Sequence, residues 1–335
     1  MLRFLRTIMN PAFYHGHGRK PPFFEGWYFK VVGASEEHRY AIIPGVSLGK
    51  DTHSQHAFIQ VLDGRTGHAT YHEYPTQEFW AAERSFDIRI GPNRFSANRI
   101  VLDLEGDGHT VRGELTFRGV TPWPVTLASP GIMGWYAWVP FMECYHGVVS
   151  LDHEVHGSLE VDGQDLDFSG GRGYIEKDWG PSFPSAWVWF QTNHFGLSGT
   201  SLTASIAIIP WIRTSFPGYI IGFWHGGRLY RFATYTGAKV AHLDIADERV
   251  VWAIQDGRHR LEMVATRAEG GLLHAPTTSD MSRRIAETLN ATVDVKLSRL
   301  ERGGSTTLFE GTGRHAGLEA VGDLERLVSM WKRGR

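Results

Sequence analysis

The stretch Phe23-Phe-Glu-Gly-Trp-Tyr-Phe-Lys-Val31 reads as a β-strand. Its aromatic and β-branched side chains suit a pleated surface. Period-two alternation sends Trp27, Phe29 and Val31 to one face and Tyr28 and Lys30 to the other. A sheet this rich in Trp needs a large core or a large guest opposite it, so core filler and cavity wall both stay open for these rings. Outward from this strand, similar runs recur at Arg39–Val46, Ala57–Leu62, Ser85–Ile90, Arg99–Leu104 and Val111–Phe117, divided by Gly- and Asp-rich turns. They resume at Ala186–Gln191, Leu202–Ile209, Gly218–Trp224, Arg228–Tyr235, Arg249–Gln255, Arg260–Thr266 and Thr292–Leu300. Sustained alternation at short spacing predicts an all-β chain of antiparallel barrels or sandwiches. Helical signals are confined to Met281–Leu289, with Asp280 as N-cap, and to a Leu324, Leu327, Val328, Trp331 stripe.

A second aromatic strand, Phe183-Pro-Ser-Ala-Trp-Val-Trp-Phe-Gln191, opens the second half. Aligning Trp27 with Trp187 gives an offset of 160 residues, close to half of the 335-residue chain. Trp187, Trp189 and Gln191 share a face. Two consecutive β domains are expected, residues 1–163 and 164–335, divided at the turn Asp162-Gly163-Gln164-Asp165.

The 34 basic and 36 acidic residues nearly balance, which excludes a nucleic-acid binder working through a large positive excess. Cys144 is the only cysteine, so no internal disulfide forms. Together with the lack of a bilayer-length apolar run or a signal-peptide apolar region, this leads to a cytoplasmic expectation. At the ends, Leu2, Phe4, Leu5 and Ile8 among Arg3 and Arg6, and Trp331-Lys-Arg-Gly-Arg335, fit either peripheral membrane contact or simple docked termini. The 17 histidines include the pairs His15/His17, His53/His56 and His153/His156. None has a metalloprotease spacing and no cysteine pair accompanies them, so no metal is expected. The Gly-rich stretches lack a P-loop Lys and a strand–glycine–helix unit, so no nucleotide cofactor is expected either.

The densest chemistry lies in Gly170-Gly-Arg-Gly-Tyr-Ile-Glu-Lys-Asp-Trp-Gly-Pro-Ser-Phe-Pro184. Glu176 and Asp178 share one face of an extended chain beside Trp179. Two such close carboxylates should not both ionise easily, which favours a general acid. The alternative is that they brace the turn by pairing with Arg172 or Lys177. Glu25 is a second candidate, as a catalytic group or as a partner of Arg19, Lys20 or Lys30. The segment Gly131–Gly147 carries Trp135, Tyr136, Trp138 and Tyr145, which suit a cavity wall, a cradle for a transient carbocation or plain packing between the halves. His146 in the same segment is a candidate base.

Taken together, these residues resemble the tocopherol cyclase family. The matching blocks are Tyr14-His-Gly, Pro22-Phe-Phe-Glu-Gly-Trp-Tyr-Phe-Lys30, Phe58-Ile-Gln-Val-Leu-Asp63, Gly134-Trp-Tyr136, Tyr174-Ile-Glu-Lys-Asp-Trp-Gly180, Phe183-Pro184 and Gly313-Arg-His-Ala-Gly-Leu-Glu319. The resemblance implies two lipocalin-like halves, as in the related carotenoid hydratases. There an acid in a comparable Tyr-x-acid-x-Asn-Trp-Gly block is the proposed proton donor. Glu176 takes that position, and Asp178 stands where the Asn would be. The implied reaction is cofactor-independent closure of a prenylated quinol to a chromanol, with Glu176 as acid and Asp178, Glu25 or His146 as base. Trp27, Trp138 and Trp179 are expected around the cation, and Trp135, Tyr136, Tyr145, Trp187 and Trp189 along the substrate. An isoprenoid hydratase and a non-catalytic isoprenoid carrier are the competing expectations. Sequence leaves the oligomeric state open.

Overall fold

The computed structural model describes residues 2–106 and 108–333. Two compact units divide the chain: Met1–Phe183 with Gly271–Ile285, and Pro184–Gly270 with Ala286–Arg335.

In the first unit a short helix, α1 (Leu2–Ile8), precedes the meander β1 (Phe23–Val32), β2 (Arg39–Leu48), β3 (His56–Asp63) and β4 (Ala69–Pro75). There follow β5 (Phe79–Ala81), β6 (Asp87–Ile90), β7 (Asn93–Ser96), β8 (Arg99–Gly106), β9 (His109–Arg118), β10 (Tyr145–Val161), β11 (Gln164–Asp167) and β12 (Gly171–Gly180). The hydrogen-bonded order is β4-β3-β2-β1-β12-β10-β9-β8-β7-β6-β5, with β11 on β10. The last strand of the unit, β12, therefore sits in the middle of the sheet, antiparallel to both β1 and β10.

The second unit runs β13 (Trp187–Thr192), β14 (Ser201–Trp211), β15 (Thr214–His225), β16 (Arg228–Ala233), β17 (Lys239–Ile245), β18 (Arg249–Gln255) and β19 (His259–Thr266). Strand β20 (Gly271–Ala275) returns to the first unit, where His274 and Gln60 of β3 exchange two hydrogen bonds of 2.7 and 3.0 Å. The chain ends with β21 (Arg283–Glu301), β22 (Gly304–Val321) and α2 (Leu324–Arg333). Here the order is β16-β15-β14-β13-β22-β21-β19-β18-β17. Apart from two additional strands at the far end of the first, both sheets follow one connection diagram, as a two-half, lipocalin-like, all-β chain should.

The register of the repeat differs by one residue from the Trp27–Trp187 alignment. Phe29 faces the first core, with its ring about equally close to Phe86, Phe95 and Phe117 at 6.0, 6.0 and 6.1 Å. In the second unit the core residues of the matching strand are Val188 and Phe190, the latter against Trp252. Phe29 thus corresponds to Phe190, an offset of 161. Trp27 faces its core, whereas Trp187 and Trp189 occupy the opposite face, because a slip of one residue exchanges the two faces of a strand.

Three further expectations change. The expected boundary at 163 falls before β11 and β12, which are bonded into the first sheet, and the chain divides at Phe183/Pro184 instead. Met281–Leu289 is not helical: its second half pairs with β22 (Glu287 with Glu319, Thr288 with Leu318), and this ladder overrides the local helical pattern. Asp280 caps a turn, accepting from Thr277 Oγ1 at 3.0 Å and from the Ser282 N–H at 3.0 Å. The residues Leu2–Ile8, outside the expected helical segments, form α1, with Phe4 and Leu5 each 41 % exposed. The C-terminal stripe is helical as expected: Asp323 caps α2 through the Arg326 N–H at 2.9 Å, and Leu327 and Trp331 enter the second core. The Leu2 side chain, Gly334 and Arg335, part of the expected membrane-contacting ends, lie outside the described residues. Among the described residues no helix is long and apolar enough to cross a membrane.

Phe190→Ala removes a fully buried ring from the second core. We expect a loss of about 3–5 kcal/mol in chemical unfolding of that unit, followed by near-UV circular dichroism.

Candidate functional site

Strand β12 carries Glu176, Lys177 and Asp178 in succession. Alternation therefore puts the carboxylates on one face of the sheet and the ammonium on the other. The register fixes their company. Lys177 lies across from Trp27 on β1 and Gly147 on β10, and Trp179 lies across from Glu25 and Tyr145. Glu176 lies across from Tyr28 and Val148, and Asp178 across from Gly26 and His146.

On the core face Lys177 and Glu25 form an ion pair with both side chains fully buried. Lys177 Nζ also donates to the Phe13 carbonyl at 2.7 Å and lies 3.1 Å from His15 Nδ1. Its ammonium sits 4.6 Å from the Trp27 ring and 4.7 Å from the Trp179 ring. Glu25 in turn accepts the His15 backbone N–H at 2.8 Å. Burial disfavours the charge on Glu25, yet Lys177 and His15 hold its carboxyl below the usual range. Burial draws Lys177 down to about 8 against the pull of Glu25. His15, stacked on Trp179 at 4.0 Å, is lowered to about 4 by burial and by Lys177.

This cluster reassigns several sequence candidates. Glu25 is committed to an ion pair, with Lys177 rather than Arg19, Lys20 or Lys30 as partner. Trp27 and Trp179 do surround a cation, but it is the resident ammonium of Lys177. Trp27 also donates to the Ala12 carbonyl at 3.4 Å and stacks on Phe86, while Tyr145 stacks on Trp179 at 5.5 Å and donates to the Val139 carbonyl. Trp138 donates to the Leu127 carbonyl at 3.0 Å. Trp135 and Tyr136 stack on each other at 4.1 Å in a short 3-10 turn, Gly134–Trp138, with Trp135 exposed. Trp187 and Trp189 lie in the second unit, on its face away from the core.

The opposite face of β12 collects the expected acid–base groups. His146 Nδ1 is 2.9 Å from Asp178 Oδ1, and its Nε2 is 3.3 Å from Glu176 Oε2. Tyr174 Oη donates to Glu176 Oε2 at 2.5 Å. Glu176 and Asp178 share this face as alternation predicts, but they do not confront each other bare. The imidazole lies between them, hydrogen-bonded to Asp178 through Nδ1 and at ion-pair distance from Glu176 through Nε2. Burial opposes the imidazolium, yet Glu176 and Asp178 raise His146 well above its usual value. Arg172 plays no part in bracing this pair, since it binds Asp152. Cys144 Sγ approaches Asp178 Oδ1 at 3.8 Å, and burial together with that carboxylate pushes the thiol up, which suits a spectator rather than a nucleophile. Sequence reasoning passed over Tyr174 and Tyr28. Tyr174 was readable from period two, since it shares a face with Glu176, whereas Tyr28 meets Glu176 only through the β1–β12 register.

His146, Glu176 and Asp178 also bring one potential ligand atom each within 4.8 Å of one another, so they are the residues that would hold a cation. None of the histidine pairs noted in the sequence contributes to this group. Each imidazole nitrogen already faces a carboxylate oxygen, an arrangement that equally suits proton transfer.

Two predictions follow from these charges. Lys177→Met leaves the Glu25 carboxylate buried without its cation and should cost about 3–5 kcal/mol in denaturant unfolding, with much of the loss recovered in a Glu25→Gln/Lys177→Met double variant. His15 and His153 have folded values near 4 and near 3, the latter through burial and Arg172. The unfolded chain binds their protons first, near pH about 6.5, so stability should fall as pH drops from there towards 4. Thermal melts across that range check the slope, which His153→Phe should flatten.

Comparison with known proteins agrees with this fold. The family model described as tocopherol cyclase-like matches residues 96–322. The chain is 26% identical over 384 residues to a probable chloroplastic tocopherol cyclase of Oryza sativa subsp. japonica, covering 95% of this chain and 79% of that protein. It is 27% identical over 329 residues to the chloroplastic tocopherol cyclase of Zea mays, covering 81% and 68%. Among solved structures, CghA with Sch210972 matches at a TM-score of 0.54 and 11% identity, covering 90% of this chain and 89% of that one. Kievitone hydratase from Nectria haematococca matches at 0.52 and 13%, covering 96% and 94%. These two likenesses are of fold alone. The cytoplasmic expectation is corrected by the plant relatives, both chloroplastic. A lone cysteine separates reducing from oxidising surroundings and does not distinguish one reducing compartment from another. Since the family model matches more than half of its length, the chain belongs to the tocopherol cyclase-like family.

Proposed function

We propose that the protein is an enzyme that cyclises a prenylated quinol, or a related isoprenoid, to a chromanol-type ring by acid–base catalysis without a redox cofactor. The observation that carries this reading is His146 held between Asp178 at 2.9 Å and Glu176 at 3.3 Å. The plant relatives named tocopherol cyclases support the substrate class.

At rest His146 is an imidazolium, and Glu176 Oε2 lies 3.3 Å from its Nε2 and accepts from the Tyr174 hydroxyl. Transfer of the Nε2 proton to Glu176 gives a neutral carboxylic acid and an imidazole that stays oriented by Asp178. Glu176 then protonates the prenyl double bond, leaving tertiary cation character. The quinol oxygen closes on that carbon as its own proton passes to the imidazole, which restores the resting state. Every proton returned equals one delivered, so the reaction is an isomerisation. Tyr28, across from Glu176, is an aromatic neighbour suited to the developing cation. A folded prenyl tail would lower the entropic cost of closure. Phe4 and Leu5 of α1 are the exposed apolar residues by which the chain would meet a membrane that supplies such a substrate.

Purified protein is to be incubated with a prenylated benzoquinol under reducing conditions and the product resolved by mass. Unchanged mass with a chromanol spectrum is the expected outcome, with Glu176→Gln slower by about 10²–10⁴-fold. A gain of one water points to hydration instead, and tight binding without product points to a carrier. The raised His146 keeps its proton through neutral pH, so kcat/KM should hold near pH 7 and decline on the alkaline side. A profile that instead falls below pH 6.5 as His146 gains a proton contradicts the relay.

A further inference from the structure

Two residues of the turn Asp162-Gly163-Gln164-Asp165, which the sequence offered as a domain boundary, line a cavity of about 230 Å³ inside the first unit. The cavity lies at the end of the sheet where β1 turns into β2 and β3 into β4. There Tyr40, near the start of β2, pairs with Asp63, the last residue of β3. The volume falls below the roughly 300–1,000 Å³ of ordinary small-molecule sites, so a guest must be small.

Tyr40 is the buried polar residue of the lining, 7 % exposed, with its ring edge-on to Phe168 at 6.1 Å. Among the described residues nothing hydrogen-bonds its hydroxyl. Phe would fill the same space without the cost of a buried, unpaired hydroxyl. Burial, reinforced by Asp63, pushes this phenol up to about 12, so at neutral pH it keeps a proton to donate.

Groups of both signs converge around that hydroxyl. Asp63 accepts the Arg65 backbone N–H through Oδ1 at 2.7 Å, and its Oδ2 takes no hydrogen bond among the described residues. Asp162 is fixed by the Thr110 N–H at 2.8 Å and by His109 Nδ1 at 2.9 Å. Arg65 lines the same cavity, and its guanidinium enters no ion pair among the described residues. The carboxylates repel an anion and the guanidinium repels a cation. A hydroxyl group suits every one of these partners, because it donates to a carboxylate and accepts from a guanidinium, an amide or a phenol. Gln164 supplies such an amide, and Val161 and Leu166 give the C–H face of the guest an apolar surface.

We propose that this cavity binds a neutral polyhydroxy ligand of monosaccharide or cyclitol size, with Tyr40 donating to one hydroxyl and Asp63 accepting from another. The site shares no residue with the His146 relay and does not depend on the cyclase reading. A free sugar and a glycolipid head group offer the same chemistry.

The test is saturation-transfer NMR of the full chain with methyl glucoside, methyl galactoside, methyl mannoside and myo-inositol. At least one should bind the wild type, and bind Tyr40→Phe tenfold or more weakly. Asp63→Asn, which keeps the acceptor for the turn, should weaken binding by a smaller factor, and the surface control Glu325→Gln not at all. No transfer from any of the four, or equal affinity of wild type and Tyr40→Phe, overturns the proposal. Binding of inorganic phosphate or methylammonium in their place overturns it as well. Thermal melts without ligand exclude a structural role: Tyr40→Phe should melt no lower than the wild type. A lower melting point means that the hydroxyl is bonded within the fold, and sinks the idea. Flotation with phosphatidylcholine vesicles, with and without a monoglycosyl diacylglycerol, separates the two sources. Capture that needs both the glycolipid and Tyr40 supports a lipid head group; sugar binding without capture supports a free sugar.

Discussion

Lys177 is buried on one side of β12 while Glu176 and Asp178 lie on the other, and most of the first unit follows from that division. An ammonium in a sheet core needs a counter-charge, which Glu25 supplies from β1, and flat electron-rich surfaces, which Trp27 and Trp179 supply. His15 and the Phe13 carbonyl complete its shell. Because these partners fix the roll of β12, the carboxylates are presented to the other face in one orientation, where His146 meets them. The core cluster touches no substrate in this scheme. It is the mould against which the relay is set.

Charge on the two faces is also balanced differently. The core face pairs one cation with one carboxylate under full burial, with Lys177 drawn down to about 8 and the Glu25 carboxyl held below its usual range. The relay face sets one imidazole against two carboxylates and a phenol, with Asp178 partly open to solvent. In the proposed reaction, that surplus of acceptors over protons is what would let a proton move rather than stay fixed.

Much of this was legible in the chain. Alternation located many of the strands, though not β10, β12 or β22, and in an extended chain put Glu176 and Asp178 on one face, while the family blocks pointed to the two-half architecture. What failed to show was pairing across long separations. Nothing local says that Lys177 will meet Glu25, so Trp27 and Trp179 read as walls for a foreign cation rather than a resident one. Nothing local shows that β12 closes onto β1, which is why the domain boundary was drawn before it. The Trp27–Trp187 alignment illustrates the limit well: two similar motifs one residue out of step have opposite faces, and only the cores reveal it. Met281–Leu289 shows the same thing from the other side, since a helical pattern yields to a ladder with β22.

The insertion of β12 between β1 and β10 has a consequence for biosynthesis. Glu25 and Lys177 are 152 residues apart, and the segment Gly271–Ile285 joins the first unit only after most of the second has been made. A chain emerging from the ribosome therefore holds β1 for a long interval with one ladder edge unfilled. Folding dominated by such distant pairings is slow, and open strand edges invite association between nascent chains. Yield in a heterologous host should thus depend on synthesis rate and chaperone supply more than on the stability of the finished sheets.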